Sequence, residues 1–164
     1  MIDLPHGPSG LSKFQWSQDD FANMGWHDCR VHAVSIGEYD DDTLPPARLL
    51  LDLDYIARWV SPARGDEHFS FWIAPATLVF EGAWSISGQL GPLHEVLEIA
   101  DIHQLDAADS SIDPWWHIEG HNFDLRLRAA GYTQFVRLPP RHVLRQSLTL
   151  GERGGINFAE EPFA

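Results

Sequence analysis

The chain has 164 residues, close to the size of one domain, with 44% apolar and 12% aromatic residues, among them seven Trp and nine Phe. A core is therefore within reach without disulfides or a structural metal, and global disorder is excluded. Twenty-four acidic against eleven basic residues give a net charge of −13, which argues against a nucleic-acid partner because gripping phosphates needs a basic face.

That acidity has two readings: it keeps the protein soluble, or it steers the protein toward a basic protein partner. Cys29 is the single cysteine, so no internal disulfide and no multi-cysteine zinc site can form, which favours a reducing compartment. The first residues lack a basic start followed by an apolar run, and no apolar stretch approaches the ~20 residues that span a bilayer. A cytoplasmic location without membrane contact is expected.

In chain order, residues 1–13 are rich in Gly, Pro and Ser and are expected as a flexible arm. Ser17-Gln18-Asp19-Asp20 has the spacing of a helix N-cap with an acid three positions on, and Gly25 stops that short helix. Cys29–Ile36 reads as the first strand, closed by the run Asp40-Asp41-Asp42 and by Pro45-Pro46. Leu49–Val60 is the clearest strand: Leu49, Leu51, Leu53, Tyr55 and Trp59 alternate with Asp52, Asp54 and Arg58.

Phe69–Ile73 and Thr77–Trp84 form the next stretch, with Ala74-Pro75 predicting a bulge, an edge or a kink, because proline cannot donate to a ladder. Gly88 and Gly91-Pro92 mark turns, and Val96–Leu105 is a strand, followed by a polar break over Asp106–Pro114. Trp115–Ile118 leads through the turn Gly120-His121-Asn122 into the alternation of Phe123, Leu125 and Leu127. Tyr132–Leu138 follows, then Pro139-Pro140 and a last short strand within Val143–Leu150. The expected organisation is one β-rich domain over residues 14–150 and a loosely ordered tail over 151–164. Many short strands and no long helical crossover make the chain mainly β: an antiparallel sandwich, roll or partly closed barrel with one short N-terminal helix.

The densest polar segment is Gly25–His32, which packs His27, Asp28, Cys29, Arg30 and His32 together. With His32 facing Asp52 or Asp54 across the sheet, imidazole and carboxylate ligands suit a divalent metal, with His27, His32 and Asp52 as ligands. The spacing matches no established metal motif, and histidines and acids at a strand start also serve in turn hydrogen bonds. Asp52 and Asp54 share a strand face and suit acid–base work, or they are a solvated face with Arg58 beside them. A second alternating row, His117, Glu119 and His121, lies beside a turn, where simple exposure accounts for it.

Cys29 in an apolar face acts as a small hydrophobe, since a reactive thiolate needs a cation or helix N-terminus beside it. Trp115 and Trp116 must face opposite sides, so one of the two is a candidate interface residue. The serine-hydrolase elbow and the phosphate-loop and dinucleotide fingerprints are absent, and no cofactor is implied.

Trp26-His27-Asp28, Leu51-Asp52-Leu53-Asp54-Tyr55-Ile56 and Phe71–Phe80 together resemble an uncharacterised family of small bacterial cytoplasmic proteins, over most of residues 14–138. That resemblance implies no catalytic role. More distantly the arrangement resembles immunity proteins of bacterial toxin systems, which are small, acidic and inhibit by binding. The residues thus leave two functions open. One is a non-catalytic protein-binding domain of the immunity type; the other is a small metal-dependent or acid–base enzyme using His27, Asp28, His32 and Asp52 or Asp54.

Overall fold

The computed structural model describes residues 8–37, 47–92, 94–105 and 113–163. Among the described residues ten strands follow one another: β1 (Gln15–Ser17), β2 (Arg30–Ile36), β3 (Arg48–Val60), β4 (Ser70–Glu81), β5 (Trp84–Gln89), β6 (Leu97–Leu105), β7 (Trp115–Gly120), β8 (Asp124–Arg128), β9 (Gly131–Val136) and β10 (Arg141–Val143). A 3-10 helix, Gln18–Asn23, follows β1, and a short α-helix, α1 (Leu150–Arg153), comes near the C-terminus. The strands form one antiparallel sheet in the order β1-β9-β4-β3-β2-β6-β7-β8-β5, with β10 pairing β4 beside β9.

The sheet curls without closing. β2 and β6 pair over only two residue positions, Arg30 with Glu98 and Val31 with Leu97. Beyond this narrow joint the two halves face each other. Trp116 of β7 packs edge-on against Phe80 of β4 and Tyr132 of β9, with ring centroids 5.7 and 5.5 Å apart, although these strands lie far apart in the sheet order. Trp26, Leu51, Leu53, Leu78, Ile118 and Leu127 fill the space between the halves. Along β3, β4, β7 and β8 the alternation of apolar residues builds this core, because every second side chain points inward.

Ser17 caps the 3-10 helix as its spacing predicts: its side chain accepts from the Asp19 N–H, and Asp20 accepts from the Ser17 N–H at 2.9 Å. The run Asp40–Asp42, Pro45-Pro46 and most of the polar break before Pro114 lie outside the described residues. No helix among the described residues is long and apolar enough to cross a membrane.

Several local expectations change. Pro75 lies inside an unbroken β4. β4 changes partner at that point, since β9 pairs with it up to Ala76 and β10 begins opposite Ile73. The Pro75 carbonyl accepts from Arg137 on that side, so the missing N–H falls in the gap between two partners, where there is no ladder bond to lose. Gly88, expected in a turn, is part of β5. Its φ is +140°, and a Cβ there would stand 1.9 Å from the Asp124 carbonyl oxygen, so glycine serves close strand approach.

Trp59 leaves the row of Leu49–Tyr55. A bulge between Ile56 and Arg58 sets Trp59 opposite Phe71 and Ile56 opposite Ile73, so Trp59 shares the face of Ile56 and Asp54. The last strand is shorter and earlier than the expected Val143–Leu150, because Leu148 turns into the core and Thr149 caps α1.

Of the expected loose arm 1–13 and loose tail 151–164, the described residues make packed contacts. Leu11 is buried, Arg153 has 2% exposure, and Phe163 packs on Phe14 with tilted rings whose centroids are 4.0 Å apart. The segment from Leu148 onward crosses the second face of β3 and β4 as a third layer, so both faces of β3 are covered.

Candidate functional site

The polar residues singled out in the sequence separate into two groups. The first is buried. Asp52 and Asp54 have no solvent exposure, because the C-terminal segment covers the strand face expected to be solvated. Asp52 accepts from Arg153 Nη1 and Nη2 at 2.9 and 2.6 Å, from Arg137 Nη2 at 2.7 Å and from the Asn157 N–H at 3.0 Å. Asp54 accepts from Arg153 Nε at 3.0 Å and the Leu148 N–H at 2.9 Å, and pairs with His32 Nε2 at 2.8 Å.

His32 reaches Asp54 because it sits at the bulge between Val31 and Ala33, where β2 shifts register against β3. Burial alone would raise both carboxyl pKa values. For Asp52 the bonds from Arg153, Arg137 and Asn157 outweigh it, and for Asp54 those from His32, Leu148 and Arg153 do; both acids are held below the usual range. With two arginines facing two carboxylates, the group locks the third layer to the sheet. All four carboxylate oxygens are engaged and both acids are wholly buried, which leaves no open position for a metal.

The second group is at the surface. Asp28 has φ +63°, a left-handed conformation that aspartate tolerates better than most residues. Its carboxylate meets His121 Nε2 at 2.8 Å and His27 Nε2 at 3.6 Å, and accepts from Gln146 at 3.3 Å. One ligand atom from each of His27, Asp28 and His121 lies within 4.8 Å of the others.

Three consecutive carbonyls of β6 position this set. Glu98 accepts from the His121 N–H at 2.9 Å, Ile99 from the Asp28 N–H at 2.8 Å, and the Ala100 carbonyl contacts His27 Nδ1 at 3.1 Å. Ala100 sits at the register shift between β6 and β7, which frees its carbonyl from the ladder. His27 stacks on Trp59, with centroids 5.9 Å apart and planes 26° apart, and Trp59 meets Phe69 edge-on at 6.1 Å.

His27 and Asp28 therefore come together, whereas His32, Asp52 and Asp54 belong to the other group. Arg137 and Arg153 stand outside the residues that the sequence patterning marks; Thr149-x-x-Glu152, a capping box ahead of Arg153, is the local signal for this segment. In sequence His121 falls in a row with His117 and Glu119, but the turn at Gly120 carries it away to Asp28. His117 instead pairs with Asp124, and Glu119 with His103 at 2.7 Å.

Cys29 is wholly buried, and desolvation pushes its thiol up to about 12 despite the Ile56 N–H beside it. Of the tryptophan pair, Trp116 is buried and donates to the Ala129 carbonyl, while Trp115 faces outward with the Arg128 guanidinium 4.5 Å from its ring centroid.

The end of the β3–β4 hairpin carries exposed apolar surface beside this site. Trp59 is 38% and Phe69 47% exposed. On the opposite face a groove of about 430 Å³ is lined by Val60, Pro62, Ser70, His142 and Leu144 together with Asp66 and Glu67. Compared with protein-family models, curated proteins and solved structures, the chain matches none of them.

Proposed function

We propose that this chain is a non-catalytic recognition domain that binds a basic protein, acting in the cytoplasm as an inhibitor of the immunity type. The observation that supports this reading best is the hairpin end, where Trp59 and Phe69 stand exposed on a chain of net charge −13. Large aromatics that can be desolvated at the centre of a contact are typical anchors of protein interfaces, and a strongly acidic surround speeds encounter with a basic partner. The groove beside Leu144, with Asp66 and Glu67 in its lining, adds an acidic pocket on the other face of the hairpin.

Affinity capture at low ionic strength, with the wild type and the double variant W59A/F69A side by side, tests this. A basic protein retained by the wild type, released by salt and lost from the variant supports the reading. A partner held equally by both proteins, or none at all, removes it.

A further inference from the structure

The geometry points to a surface site for one divalent transition-metal ion of the zinc class, held by His27 Nε2, Asp28 and His121 Nε2. Two imidazoles and a carboxylate are the ligand types that select such ions over magnesium or calcium, which prefer oxygen alone. Metal–ligand bonds of about 2.0–2.1 Å in a tetrahedron place neighbouring ligand atoms roughly 3.4 Å apart. The nearest approaches of the Asp28 carboxylate, Oδ1 to His121 Nε2 at 2.8 Å and Oδ2 to His27 Nε2 at 3.6 Å, lie on either side of that value.

The scaffold supplies what a loose surface cluster lacks. Each of the three residues is held by one of the successive carbonyls of Glu98, Ile99 and Ala100, so a short piece of β6 fixes all of them at once. The Ala100 contact leaves the proton of His27 on Nδ1 and directs the Nε2 lone pair at the site, the usual support for a ligating histidine. Gln146 donates to Asp28 Oδ2 at 3.3 Å, and Trp59 stacks on the His27 ring. The His27 and His121 side chains are 65% and 45% exposed, so a fourth position opens to solvent for water or a partner's side chain. Among the described residues this is the one group of three or more histidine, cysteine or acidic side chains so placed. The site requires no part of the recognition reading and stands if that reading fails.

Calorimetric titration of untagged protein with zinc chloride provides the test, using H27A, H121A and D28N, with the surface variant H94A and the double variant H103A/H117A as controls. Asparagine keeps the left-handed backbone open at position 28. One ion per chain is expected, with affinity at least about tenfold weaker in each of the three site variants and unchanged in the controls. Should D28N or H121A fail to fold, H27A alone decides, because it alters a mostly exposed ring. No binding to the wild type, equal affinity in H27A and H94A, or loss of binding in H103A/H117A would overturn the assignment.

Discussion

Arg153, in the last helix of the chain, and Asp52, in the middle of β3, meet as a doubly hydrogen-bonded ion pair with neither side chain exposed to solvent. The pair turns what reads in sequence as a polar strand face into an internal seam. Asp54, Arg137 and His32 extend the seam, and it ties the C-terminal segment to the centre of the sheet.

R153A should therefore lower folding stability by about 3–5 kcal/mol, since it leaves two buried carboxylates with less than their full complement of donors. Urea unfolding followed by tryptophan fluorescence measures this. A loss below about 1 kcal/mol, the range of an exposed ion pair, would show that the seam is not closed in solution.

Stability should also fall in acid in a particular window. Asp52 and Asp54 are depressed in the folded state, so their contribution is complete above the unfolded aspartate value of about 3.9 and is lost as pH drops through the lower folded values. Thermal melts from pH 7 to pH 2.5 should show little change from these groups above about pH 5 and a steepening decline below about pH 4. In D54N, which lacks one of the titrating carboxyls, that decline should be shallower; an unchanged slope would exclude Asp54 as a contributor.

Cys29 should resist thiol reagents in the native protein. Its thiol is raised to about 12 by burial, and a reactive thiolate needs both deprotonation and access. Labelling with a chromogenic disulfide should be slow in buffer and complete within the mixing time of a denaturant jump. Fast labelling of the folded chain would contradict the burial.

The adjacent tryptophans should differ sharply. W116A removes a buried ring packed on Phe80 and Tyr132 and should cost about 3–5 kcal/mol. W115A removes an outward ring under Arg128, a contact worth about 0.5–1 kcal/mol, so its loss should be much smaller. Equal losses in denaturant midpoints would reverse the assigned orientations.

The β architecture was legible from alternation alone. The period of two in Leu49–Tyr55 and Phe123–Arg128 marks strands whatever their neighbours, and the cap at Ser17 is decided by residues within one turn. The opposite orientations of Trp115 and Trp116 follow from the same period. The exceptions arise where pairing overrides local preference: Pro75 is tolerated because two partners leave a gap beside it, and Trp59 changes face because β3 bulges after Ile56.

By itself, the sequence determined an acidic chain with a single cysteine and the antiparallel strand class, because composition and side-chain period are local properties. Only the tertiary structure decided what the polar residues do. Asp52 and Asp54 are a buried lock because Arg153, about a hundred positions further on, lands on them. His27 and Asp28 form a site because β6 carries His121 to their side. No spacing within the segment 25–32 encodes either meeting, since each depends on which strands pair and where the chain returns.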